Sequence, residues 1–232
     1  MNQNLLMKND IVFKAFFHRN QQYTKSFLSA ILGDAVKIKR VMHDVRLEQL
    51  TKEMKYGVLD IDVELEDGEI VNIEMQLKDY HNIEKRTTFY ASKKIVEQLN
   101  PNKKYEDLKK VIIIAILNYS LTDLPEYIIE TERVIANHKE YRLNNEVKYY
   151  YIELDKFRKQ NPDMDKAENQ WLAFIDMERS DLLNMAIEKN EEIKNAMNDY
   201  EILTGDEEIK RLAEIRQMSE LEEHSALYTA TE

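Results

Sequence analysis

From Tyr56 to Lys78 the chain alternates strictly, and this alternation limits what it can fold into more than any other feature. Ile61, Val63 and Leu65 interleave with Asp60, Asp62, Glu64 and Glu66; beyond Asp67-Gly68, Val71, Ile73, Met75 and Leu77 interleave with Asn72, Glu74 and Gln76. A period of two puts alternate side chains on opposite faces of a strand, so the segment predicts a β-hairpin with one apolar and one polar face. A three-residue loop, Glu66-Asp67-Gly68, places glycine at the left-handed third position of a type I turn with a bulge. Leu65 then pairs with Glu69, Asp60 faces Glu74 and Asp62 faces Asn72. A two-residue Asp67-Gly68 turn would oppose Asp60 to Met75 and set polar against apolar residues throughout, so the patterning selects the first register.

Directly opposed side chains lie ~4.5–5.5 Å apart at Cβ, where like charges repel. Two carboxylates held that way call for a cation, and an all-oxygen ligand set favours Mg²⁺, Mn²⁺ or Ca²⁺. Gln76 points to the same face as Glu74 and can bring its amide to the same place. The plainer alternative is a solvated polar face, and Asp62, Glu64 and Glu66 are read that way.

Around the hairpin the period lengthens. Phe13, Phe16, Phe17, Phe27, Leu28, Ile31 and Leu32 recur at helical spacing. That stretch is read as helix, with Asn9 or Asp10 at the N-cap and Gly33-Asp34 at its end. A helix is expected over 83–99, ended by Asn100-Pro101. Val111–Leu117 is a continuous apolar, mostly β-branched run, suited to a central strand buried on both faces. Residues 126–135 and 147–154 read as further strands, and the pattern is helical from residue 155 onward, with stripes at Trp171, Leu172, Ile175 and at Leu182, Leu183, Ala186, Ile187. The expected fold is therefore α/β, a central mixed sheet flanked by helices, with a core over 1–154 and a helical C-terminal region over 155–232.

Composition excludes several classes. With no cysteine among 232 residues there is no disulfide scaffold, thiolate zinc site or cysteine nucleophile. The longest apolar run has seven residues, against the ~20 of a membrane helix, and a soluble, cytoplasmic protein without an organic cofactor is expected. Four glycines leave no glycine-rich phosphate loop. The net charge of −11 is uneven: residues 1–110 hold 19 Lys+Arg against 17 Asp+Glu, residues 111–232 hold 14 against 27. A polyanion would meet the N-terminal half; acidic C-terminal helices are otherwise simply solvated faces.

The string Leu59-Asp60 followed by Asn72-Ile73-Glu74-Met75-Gln76 resembles the core of the recombination-promoting nucleases, also described as PD-(D/E)XK nuclease family transposases. The resemblance runs along most of the chain. It takes in Asn9-Asp10-Ile11-Val12-Phe13-Lys14, Phe27–Leu32, Arg86 with Tyr90, Leu108–Ile114, Tyr151–Phe157 and Trp171. It implies a restriction-endonuclease-like core and divalent-metal hydrolysis of DNA. By the same resemblance Asp60 and Glu74 are the motif acids, Gln76 replaces the lysine of the wider superfamily, and Asp10 supplies an additional metal ligand.

A glutamine cannot act as a general base, so Gln76 is limited to holding the water, and Lys78, two residues on, is the substitute to consider. Arg86 and Tyr90, four apart on one helical face, either contact phosphate and support the site or tie the helix to the sheet. Lys93 and Lys94, with the pairs at 103–104 and 109–110, are candidate backbone contacts. Asp10 as a helix cap, the histidines at the surface and Trp171 in the core are the structural readings set beside these. Three functions follow: a weakly sequence-specific DNA endonuclease, for which a homodimer is the assembly considered; an inactive nuclease fold that binds DNA or protein; or a helical interaction module.

Overall fold

The computed structural model describes residues 6–33, 36–42, 60–99, 102–143 and 146–230. Of the sequence expectations, Tyr56–Leu59, Asp34, Asn100-Pro101 and His43 lie outside the described residues. Two compact units are present. One is helical and holds residues up to Ile31 and from Asp163 onward; the other holds Leu32, Ile38–Met42 and Asp60–Pro162.

In the helical unit, α1 (Asp10–Arg19) starts at Asn9, whose side chain accepts from the amides of Ile11 and Val12, so Asn9 and not Asp10 is the cap. The expected single opening helix is broken at Asn20. There the backbone leaves helical geometry (φ −122°, ψ 74°) and the side-chain amide donates to the carbonyl of Phe16 at 2.9 Å, a local competition typical of asparagine. Helix α2 (Gln21–Leu32) follows. From the other end of the chain come α5 (Ala167–Asp176), α6 (Ser180–Lys189), α7 (Glu191–Gly205) and α8 (Glu207–Ala230). Phe13, Phe16, Phe17, Phe27, Trp171 and Phe174 form one buried aromatic cluster. Trp171 is fully buried and donates to Ser26 at 3.2 Å, which settles it as core.

In the sheet unit, six strands lie in the order β1-β2-β3-β4-β8-β5. They are β1 (Ile38–Met42), β2 (Ile61–Leu65), β3 (Ile70–Gln76), β4 (Val111–Leu117), β5 (Ile128–Glu130) and β8 (Val147–Glu153). Strand β4 is buried along its whole length and runs parallel to both β3 and β8, as its apolar run predicts. The other pairings are antiparallel, so the sheet is mixed. The segment expected as one strand over 126–135 divides: β5 joins the sheet edge, while β6 (Val134–Ile135) pairs with β7 (His138–Arg142) in a separate two-stranded ribbon. Strands β1 and β7 are absent from the sequence reading; IKRVM and HKEYR are too short and too charged to show a period.

The hairpin register is the expected one. Ile61 pairs with Ile73, Asp62 with Asn72 and Val63 with Val71. Leu65 N–H donates to Glu69 at 2.9 Å and Gly68 N–H to Leu65 at 3.0 Å, with Gly68 at φ +88°. Parallel strands need a crossover, and α3 (Ile83–Gln98) is the one between β3 and β4. It rests on the sheet through Ile83, Thr87 and Ala91, whose neighbours are Ala115 and Leu117 at one end and Val111 and Ile113 at the other. Short α4 (Leu154–Lys159) continues from β8. The compact units are thus discontinuous in sequence: α1 and α2 group with α5–α8, and α4 stays with the sheet.

Candidate active site

A crossover helix runs antiparallel to the strands it joins. The first turn of α3 therefore meets the C-terminal end of β3, and later turns meet its beginning. Arg86, Tyr90 and Lys94 repeat at four-residue spacing on one helical stripe. Arg86 donates to Glu74 Oε1 at 2.5 Å and to the Tyr90 hydroxyl at 3.3 Å. Two turns on, Lys94 pairs with Asp62. The polar face of the hairpin is therefore covered by a helix, and Asp62, read as solvated from the sequence, is 2 % exposed. Glu64 is half-buried between Lys39 and Arg40, each at 2.7 Å; only Glu66 is exposed.

Asn72 organises the acids between these ion pairs. Its amide donates to Asp60 and, at 2.8 Å, to Asp62 Oδ1. Both N–H groups thereby meet carboxylates, and the opposite amide orientation would set an oxygen against them. Continued one step past Ile61–Ile73, the register opposes Asp60 to Glu74, and both are buried. Burial pushes the Glu74 carboxyl up to about 7; Arg86 opposes that rise and the Asp60 charge adds to it.

Three buried polar atoms here have no hydrogen-bond partner among the described residues: Glu74 Oε2, Asn72 Oδ1 and Arg86 Nε. Glu153, an equally buried acid at the end of β8, shows the contrast. Its oxygens accept from Leu121 N–H and Thr122 Oγ1, both at 3.0 Å, and pair with Lys156 at 2.8 Å. Glu153 is a satisfied structural acid, whereas Glu74 keeps an open oxygen, and a buried acceptor left unmade costs roughly 1–3 kcal/mol. Such a site fits a hard cation: its unpartnered acceptors, Glu74 Oε2 and Asn72 Oδ1, are oxygens, and the Asp60–Glu74 pair has one carboxylate more than the single cation, Arg86, that touches it. No cluster of three or more His, Asp or Glu side chains fit to hold a metal occurs among the described residues.

The remaining expected site residues fall as follows. The Gln76 amide nitrogen donates to the Lys78 carbonyl at 3.1 Å, fixing the amide at the end of β3. Lys78 is half-buried just beyond the strand. Lys93 is exposed, 3.8 Å from Glu97. Asp10 belongs to the helical unit, where Oδ1 accepts from Ile11 N–H at 2.9 Å and Oδ2 pairs with Arg216 at 2.7 Å. Sequence reasoning missed Tyr119, half-buried after β4, whose hydroxyl pKa is raised by burial first and then by Asp79 and Glu74; nothing in its local sequence marks it. The Lys94–Asp62 pair left a readable signal in the 86-90-94 stripe.

A mixed sheet with a parallel centre and a crossover helix packed on it fits the restriction-endonuclease-like fold. The chain belongs to the PD-(D/E)XK nuclease family transposases, whose family model matches residues 7–230. No curated protein and no solved structure matches it. No helix among the described residues is long and apolar enough to cross a membrane.

Proposed function

We propose that the protein is a divalent-metal-dependent DNA endonuclease with little sequence specificity. The observation that carries this is the open, buried Glu74 Oε2 opposite Asp60, in a chain of a nuclease family. Asp60 and Glu74 would hold the ion, Mg²⁺ or Mn²⁺ with Ca²⁺ as the alternative; Asp10, whose oxygens are taken by Ile11 N–H and Arg216 in the helical unit, is left out of the site. When bound, such an ion polarises a phosphoryl oxygen and lowers the pKa of water.

The chain's own residues do the rest. Asn72 holds Asp60 in place by donating to it. Gln76, neutral and anchored on Lys78, orients the attacking water without removing its proton, so the proton leaves to solvent or to substrate phosphate. The Arg86 side chain is 30 % exposed, and a guanidinium bound to a carboxylate on one edge can take a phosphate oxygen on its exposed one. Tyr90 braces that guanidinium. Lys78 and Lys93 supply sequence-blind phosphate contacts; Lys94, the other lysine expected there, has its amine on Asp62. Cutting both strands of a duplex is simplest with two symmetry-related sites, and a homodimer is the proposed assembly.

The test is cleavage of supercoiled plasmid with Mg²⁺, Mn²⁺, Ca²⁺ or EDTA by the unsubstituted protein, Asp60→Asn and Glu74→Gln. Metal-dependent nicking, reduced on the order of 100-fold or more in both variants, is the expected result. Folded protein that never cleaves would leave a binding role for the same scaffold; cleavage untouched by both substitutions would place the chemistry elsewhere.

A further inference from the structure

The exposed side of α3 carries Phe89, 64 % exposed. A lone apolar side chain on a surface needs no explanation, but this one continues the site. Its ring centroid lies 5.9 Å from that of Tyr90, Tyr90 receives a hydrogen bond from Arg86, and Arg86 pairs with Glu74. The guanidinium also lies 5.8 Å from the Tyr90 ring centre. An unbroken line of contacts therefore runs from the buried carboxylate to an aromatic face in solvent. Lys85 and Lys93 stand four residues before and after Phe89, hence about 6 Å along the helix on either side of it. Helix α3 as a whole carries Lys85, Arg86, Lys93 and Lys94 against Glu84 and Glu97, an excess of positive charge in an acidic protein.

A strand running along α3 would meet a cation, a ring and a cation in turn. That order matches an unpaired nucleic-acid strand, whose phosphates are met by lysines and whose bases stack on aromatic side chains whatever their identity. In a duplex the base faces are already stacked on one another and a ring outside the helix cannot reach them. Resting on the nuclease reading above, we propose that Phe89 stacks on an unpaired base of the DNA strand entering the Asp60–Glu74 site. The substrate is then DNA that is single-stranded or locally opened beside the bond to be cut, and Phe89 is a positioning and specificity residue.

The test uses full-length protein in EDTA at low salt. It measures affinity for a single-stranded oligonucleotide carrying one 2-aminopurine and for the same oligonucleotide in duplex. Phe89→Ala is expected to weaken single-strand binding by about 5- to 150-fold, the worth of one base–aromatic stack, and to leave duplex binding unchanged. Phe89→Leu, which keeps apolar area without a π-face, should lose most of the same affinity. Phe89→Trp should be quenched on adding the single strand, against the constant emission of the buried Trp171, the chain's one tryptophan. Equal losses for single strand and duplex, or wild-type binding by Phe89→Ala with no quenching of Phe89→Trp, would overturn the stacking proposal and leave the nuclease standing. If the unsubstituted protein binds neither nucleic acid, with or without Mg²⁺, both readings fall together.

Discussion

Arg86 on α3 donates to one oxygen of Glu74 at 2.5 Å, while the other, buried oxygen of that carboxylate accepts nothing among the described residues. Removing the guanidinium leaves a buried acid with no cation beside it. Arg86→Ala is expected to cost about 2–3 kcal/mol in metal-free buffer, below the roughly 3–5 kcal/mol for breaking a fully buried pair because Arg86 is itself partly exposed. Mg²⁺ should restore part of that loss, and Arg86→Ala combined with Glu74→Gln should be milder than Arg86→Ala alone. Urea unfolding with and without Mg²⁺ checks all three.

Lys94 and Asp62 make the second ion pair under the helix, both nearly enclosed. Lys94→Met should destabilise by about 3 kcal/mol, with most of it recovered by adding Asp62→Asn. Its phosphate role predicts otherwise, and salt titration separates the two. The slope of log affinity for DNA against log salt should be unchanged in Lys94→Met and shallower by about one in Lys93→Met.

Gly68 holds the left-handed position of the hairpin loop, and a Cβ there would meet Lys109 Cγ at 3.2 Å. Gly68→Ala should cost about 1–2 kcal/mol from the backbone alone, since the lysine chain can move aside. Gly68→Asn should cost less, because asparagine tolerates positive φ better. Thermal melts of both variants give the comparison.

Glu64 gives a pH dependence of known sign. The hydrogen bond from Lys39 holds its carboxyl below the usual 4.5, partial burial opposes that, and Arg40 adds to the lowering. Its folded pKa is thus below its unfolded one, so its contribution is present above about pH 4.5 and lost as the pH falls through the lower folded value. Glu64→Gln should therefore destabilise by at most about 1 kcal/mol at pH 7 and by nothing measurable near pH 2, as read from unfolding at the two pH values.

The sequence carried the register of the hairpin between Ile61 and Gln76. Alternation is a long-range signal, and an Asp-Gly at the right distance leaves one register in which Asp60 meets Glu74. Strand β4 was equally plain, because a run such as Val111–Leu117 has no polar face to offer water. The cover over the hairpin was not visible. The stripe by which α3 touches the sheet is Ile83, Thr87 and Ala91, two of them small or polar, so the helix shows little amphipathicity and the acids beneath it read as solvated. Asn72 stayed anonymous for a related reason: its role depends on two acids twelve and ten residues away whose burial only the helix creates. The break at Asn20 rests on one side-chain hydrogen bond inside an otherwise continuous helical pattern.

The small size of Thr87 and Ala91 has an evolutionary consequence. Both ion pairs, Arg86 with Glu74 and Lys94 with Asp62, depend on how closely one helix lies on one sheet, and those two side chains set that spacing. A larger residue at position 91 would lift the helix and loosen both pairs at once, without touching any acid. Drift at a position that touches neither acid can thus loosen both pairs in a single step.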